Sequence, residues 1–178
     1  VTKQFLNNGN KSYKRGDLER ASEYYLKAVQ FDQEFYLAFY QLGVLEKKMG
    51  NSDQAIDYFN KAIKIKPDFH KAWFTLGTSY EVDNNLDSAI VKYNKAIEIN
   101  PGYTKAYGNL GNIYTLQEDY DLAKDVLLTA IQIDPTYADG HLRLGVVFSQ
   151  QELFFEASEQ FKKATEYDEN NHDAWFRY

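Results

Sequence analysis

Cysteine is absent from the 178 residues. That removes disulfide cross-links, thiolate nucleophiles and thiolate metal sites together. A cysteine-free chain suits a reducing compartment, so a cytoplasmic setting is expected. Proline occurs three times and histidine three times. His70, His141 and His172 are too widely separated to chelate a metal as an i, i+4 pair does, and His141 reads as a packed imidazole. No glycine-rich phosphate loop, HExxH sequence or nucleophile elbow occurs. No catalytic residue, cofactor or metal site is therefore expected, and the chain reads as a non-enzyme. No run approaches the roughly 20 apolar residues that cross a bilayer, so direct membrane insertion is not expected. The start, Val1 to Phe5, has no signal-peptide character. Positive charge is in deficit, with 20 Lys+Arg against 26 Asp+Glu and a net charge of −6. Nucleic acid wants a basic face, and this balance argues against it.

What the chain has is apolar and aromatic material in a strict period. Hydrophobic residues make up 44% and aromatics 16%, mostly 15 Tyr and 12 Phe. Gly9, Gly43, Gly77, Gly111 and Gly145 recur every 34 residues. Each is followed 12 residues later by an alanine (Ala21, Ala55, Ala89, Ala123, Ala157) and 7 beyond that by another (Ala28, Ala62, Ala96, Ala130, Ala164). A sixth copy begins at His172 and reaches Tyr178. Self-similarity at such a period marks a repeat array whose units stack on their neighbours.

Two helical patterns alternate within each unit. Numbering from His70, residues Trp73, Leu76, Gly77 and Tyr80 fall at positions 4, 7, 8 and 11, one face of a helix. After the turn cluster Asp83-Asn84-Asn85, Ala89, Tyr93 and Ala96 form a second stripe at 20, 24 and 27. Asn100-Pro101-Gly102 ends that helix, and Pro67 and Pro135 hold the equivalent place in their own units. Small residues at 8, 20 and 27 let antiparallel helices approach closely. A glycine inside a helix costs about 1 kcal/mol relative to alanine, so five in register imply that close approach recovers the loss in every unit. Position 3 repeats the theme with Ala38, Ala72, Ala106, Gly140 and Ala174.

This pattern resembles the tetratricopeptide repeat family: a large residue at 4, Leu at 7, Gly at 8, Tyr at 11, Ala at 20, an aromatic at 24, Ala at 27 and Pro at 32. The unit from Trp73 to Pro101 matches all eight positions. Five full units run over 2–35, 36–69, 70–103, 104–137 and 138–171, with a partial unit at 172–178, as one array over 1–178. Departures lie at the ends, with Asn8 at position 7, and Gln33 and Glu169 in place of proline. An array that stops inside a unit reads as a piece of a longer protein. The resemblance implies an all-α fold, an α-solenoid in which antiparallel helix pairs wind into a right-handed superhelix, with about eleven helices here. It also implies that first helices line a concave groove through positions 2, 5, 6, 9, 12 and 13.

On that reading position 6 carries Asn7, Gln41, Thr75, Asn109, Arg143 and Arg177. Amides and hydroxyls stacked along a groove can serve a peptide backbone irrespective of its side chains, although any solvated helix position also favours polar residues. Asn10 and Asn112 at position 9, and Lys71 and Lys105 at position 2, extend the candidate site. Position 5 carries Phe74, either an anchor for a ligand or part of the core. Gly108, also at position 5, would leave a recess beside Phe74. First-helix positions with the sixth fragment carry 10 Lys+Arg and 5 Asp+Glu. A groove lined by Lys3, Lys47, Lys48, Lys71, Lys105, Arg143 and Arg177 would favour an acidic ligand. The carboxylate clamp of chaperone-binding relatives is matched only by Asn10 and Lys71, with Leu6, Gln41 and Thr75 in the other places, so a chaperone cofactor is not expected. Asp119 with Asp121, and Glu166 with Asp168 and Glu169, read as solvated helix ends.

The expected function is a protein–protein interaction module that binds a peptide or protein segment in the groove. Two alternatives stay open: a self-assembling scaffold, or the substrate-selecting arm of a larger enzyme. Trp175, Phe176 and Tyr178 present an apolar end, so a homo-oligomer through the C-terminal end is the expectation that belongs to the scaffold reading.

Overall fold

The computed structural model describes residues 1–168, which form ten helices and no strand. They are α1 (Thr2–Lys14), α2 (Leu18–Phe31), α3 (Tyr36–Met49), α4 (Ser52–Ile65), α5 (His70–Val82), α6 (Leu86–Ile99), α7 (Thr104–Leu116), α8 (Tyr120–Ile133), α9 (Ala138–Gln150) and α10 (Phe154–Tyr167). The eleventh helix expected from the sixth copy, with Trp175, Arg177 and Tyr178, lies outside the described residues. The chain divides into two compact units, one spanning Val1–Ile99 and a second starting at Asn100. The first holds α1 to α6 and the second α7 to α10.

Both units are built from the same hairpin. In the first, α1 packs on α2, α3 on α4 and α5 on α6, and successive pairs stack through α2 on α3 and α4 on α5. In the second, α7 packs on α8, α9 on α10, and α8 on α9. The glycine at position 8 makes the hairpin possible, because the large residue at position 24 of the partner helix lies flat against it. A Cβ on Gly9 would sit 2.4 Å from Tyr25, on Gly43 2.6 Å from Phe59, and on Gly77 2.7 Å from Tyr93. Leu127 fills the same place over Gly111, and Phe161 over Gly145. Tyr25, Phe59 and Tyr93 are fully buried, and each stabilises its hairpin by about 2–3 kcal/mol through apolar area removed from water.

Two further devices recur. The turn between the helices of a pair always places position 15 in the left-handed region: Gly16 (φ 81°), Gly50 (84°), Asn84 (56°), Glu118 (61°) and Glu152 (61°). Only the first two are the residue that this conformation favours. Position 4 ties each proline-bearing junction to the next hairpin. Trp73 Nε1 donates to the Pro67 carbonyl at 2.8 Å, Tyr107 Oη to the Pro101 carbonyl at 3.1 Å, and His141 Nε2 to the Pro135 carbonyl at 3.0 Å. His141 thus does the work of an indole or phenol. It is buried, with Nδ1 2.8 Å from the Gln160 side-chain oxygen, the packed role expected of it.

Candidate binding face

First helices present one face in each unit, and the candidate residues fall on it unequally. In the first unit the face belongs to α1, α3 and α5. Asn7 and Lys71 are exposed there, as is Lys3, while Gln41 is half-buried. Phe74 is half-buried and rests on Tyr93 with ring centroids 5.5 Å apart. That contact gives Phe74 a packing role inside its own hairpin.

Other candidates are already engaged within the chain. Asn10 Oδ1 accepts a 2.9 Å hydrogen bond from Tyr25 Oη, so its amide secures the core aromatic of α2. Thr75 Oγ1 lies 3.2 Å from Tyr40 Oη and donates to the Lys71 carbonyl at 2.8 Å, linking α5 to α3. Lys47 Nζ donates to Thr78 Oγ1 across the same pair of helices. Burial pushes the Lys47 ammonium below its usual range, and Glu81 and Asp83 partly counter that. Lys48 lies 4.6 Å above the Tyr13 ring, a cation–π contact. A cavity of about 240 Å³ lined by Lys47, Ser52, Ser79 and Asp83 adjoins this end. Ser52 Oγ donates to the Asp83 carboxylate at 2.9 Å, which closes off much of its polar lining.

In the second unit α7 and α9 carry the face. Lys105 is exposed, and Asn109 and Asn112 are half-buried. Arg143 does not project as a free cation: its Nε donates to Asp139 Oδ2 at 2.7 Å. The same oxygen accepts from Tyr137 Oη at 2.9 Å. The recess expected at Gly108 is filled by that phenol, since a Cβ there would lie 2.6 Å from Tyr137 Oη. Burial first, then the Asp139 charge and the hydrogen bond to it, drive the Tyr137 phenol well above its ordinary range. Gly108, Tyr137, Asp139 and Arg143 form one polar cluster. Sequence reasoning missed it, although the i, i+4 spacing of Asp139 and Arg143 was a visible signal. Arg177 lies outside the described residues.

Among the described residues no group of His, Asp and Glu could hold a metal ion, and no helix is long and apolar enough to cross a membrane.

A tetratricopeptide repeat profile matches residues 36–69, and a TPR repeat profile matches 9–50, 83–117 and 111–152. No curated protein matches by sequence. Among solved structures, a MamA protein is 26% identical, with 96% of this chain and 93% of that one covered at a TM-score of 0.78. YrrB, described as a TPR protein with an unusual peptide-binding site, is 25% identical, covering 97% and 89% at a TM-score of 0.72. PilF of Pseudomonas aeruginosa is 15% identical, covering 99% and 80% at a TM-score of 0.88, a likeness of fold alone. These likenesses give an all-α fold of the α-solenoid class.

Proposed function

The chain belongs to the tetratricopeptide repeat family, a fold of protein–protein interaction modules, and we propose that it is a non-catalytic member that holds an acidic, extended segment of another protein against its first-helix face. The observation that carries this reading is the grouping on the first unit's face. Lys3 and Asn7 stand exposed on α1 and Lys71 on α5, with Gln41 half-buried on α3. Amides of that kind can serve as donor and acceptor to a peptide backbone, and exposed ammonium groups in an acidic protein draw carboxylates toward them. The description of YrrB as having a peptide-binding site supports the same class of ligand.

The test uses a fluorescein-labelled 12-residue peptide alternating glutamate with valine, followed by anisotropy. Binding should weaken about tenfold between 50 and 300 mM salt, since the Debye length falls below about 10 Å above 0.1 M. Lys3→Glu with Lys71→Glu should abolish binding while leaving the helical spectrum intact, because both side chains are exposed. Unchanged affinity in that double variant refutes the assignment.

A further inference from the structure

The fifth unit departs from the other four at the entry to its second helix. In the four preceding units position 16 is Asp or Asn (Asp17, Asn51, Asn85, Asp119), of which Asp17 and Asn85 accept from the backbone N–H of Arg20 and Ser88, and position 18 is an acid (Glu19, Asp53, Asp87, Asp121), all of them exposed. Both choices suit a helix start, where side-chain oxygens satisfy free backbone N–H groups and negative charge meets the helix dipole. At the start of α10 these positions are Leu153 and Phe155, with Phe154 between them. Leu153 makes no side-chain cap, and the three are 40%, 74% and 67% exposed, respectively. Positions 16 and 18 face solvent in every unit, interior ones included, so the exposure of Leu153 and Phe155 does not depend on where the array stops. α10 keeps an acid in its first turn, Glu156, yet places large apolar side chains at both of these solvent-facing positions, with the exposed Phe154 between them. Glu152, Glu156 and Glu159 surround them in sequence, all exposed.

We propose that Leu153, Phe154 and Phe155 form a docking tip for an apolar, cationic segment of a partner protein, a surface separate from the first-helix face. The charge pattern selects this occupant. A second copy meeting the tip symmetrically would set the glutamates of both copies against one another. It would also gain little area, since three such side chains offer on the order of 300–400 Å² a side against the roughly 800 Å² of a standard interface. An anionic bilayer would repel the same glutamates. An apolar segment edged by Lys or Arg satisfies both the aromatic tip and its acidic border, and phenylalanines projecting from a helix end supply the anchor.

The probe is a 14-residue amphipathic Leu/Lys helix, titrated into the whole chain by anisotropy at 150 mM salt. The variant is Leu153→Asn with Phe155→Asp, which restores the pattern of the other four units and should melt no lower than the parent, so a lost signal cannot come from unfolding. Affinity should fall at least tenfold in this variant even though it is more acidic. Glu152→Gln with Glu156→Gln should weaken binding three- to tenfold, and Lys71→Glu should leave it unchanged. Equal binding to the Leu153→Asn/Phe155→Asp variant overturns the proposal. So does self-association by sedimentation that the variant abolishes, which assigns the tip to a second copy, or flotation on phosphatidylglycerol vesicles that the variant abolishes, which assigns it to a membrane.

Discussion

Replacing Gly77 with alanine puts two known effects in opposition. Alanine is the better helix former by about 1 kcal/mol, so on an exposed helix the change would stabilise. Here the new Cβ would lie 2.7 Å from Tyr93 Cε1 and 2.8 Å from Cδ1, against the 3.5–4.0 Å at which carbon atoms rest. Overpacking of this kind costs about 1–3 kcal/mol when the neighbour can shift. Tyr93 shifts poorly, because its hydroxyl donates to the Glu81 carboxylate, and a hydrogen bond to a charged group is worth about 1.5–3 kcal/mol. The cost therefore falls in the upper part of the range, and Gly77→Ala should destabilise by about 1–2 kcal/mol net of propensity. Gly43 faces Phe59, which has no hydroxyl to anchor it, so Gly43→Ala should cost under about 1 kcal/mol. Urea unfolding followed by circular dichroism reads both, provided the slope with denaturant stays constant between variants. In a Tyr93→Phe background the effect of Gly77→Ala should shrink to that of Gly43→Ala. If Gly77→Ala is neutral or stabilising, the close approach is not what the glycine is for and the packing argument fails.

Three other outcomes follow from the repeated devices. Glu118→Gly and Glu152→Gly should each raise the urea midpoint by the equivalent of about 0.5–1 kcal/mol, since a non-glycine residue in the left-handed region carries a strain of about 1–2 kcal/mol; an unchanged midpoint would refute the strain. His141→Phe should lose about 1–3 kcal/mol by stranding the Pro135 carbonyl and Gln160, whereas Phe155→Ser, at an exposed site, should stay within about 0.5 kcal/mol of the parent in the same experiment. Burial, reinforced by nearby Tyr13, pushes the Tyr25 phenol up to about 12, while an unfolded tyrosine ionises near 10. A raised folded value stabilises the protein fully below pH 10 and loses that contribution as pH climbs toward 12. The melting temperature should fall across that window and fall less in Tyr25→Phe, and parallel curves would show that Tyr25 is not the group responsible.

The fold was legible because stacking imposes the same demand in every unit, and only a period of small and large residues can meet it. Position 8 and position 24 were each visible as conserved in type along the chain. Their pairing, ring over glycine, needed the antiparallel approach of two helices to be seen. The left-handed turn at position 15 was hidden for a physical reason. Gly16 and Gly50 announce it, but Asn84, Glu118 and Glu152 adopt it under constraint from the packed helices on either side, and a glutamate carries no local sign of that. The departure at Leu153 and Phe155 was equally present in the sequence. It stands out only once positions 16 and 18 are known to be a solvent-facing helix start in every unit.

The candidate site was less legible, because a polar residue on a first helix can look inward or outward without changing its type. Asn10 and Asn7 are the same amide three residues apart, yet one holds the hydroxyl of a buried tyrosine and the other is exposed. Thr75 and Arg143 share position 6 with Asn7, and both are committed to neighbours. The consequence reaches the design of any binding experiment. Arg143→Ala would release Asp139 and the Tyr137 phenol that fills the space over Gly108, so a change in affinity would report a loosened α7–α9 contact together with any lost ligand contact. Lys71 and Lys105 are exposed, and their removal reports on the ligand more directly. Exposed charges at the edge of a binding surface act mainly on association rate and its salt dependence. Charge reversal at Lys71 should therefore slow capture of an acidic peptide more than it speeds release, whereas a change at Asn10 should act through the stability of the first hairpin.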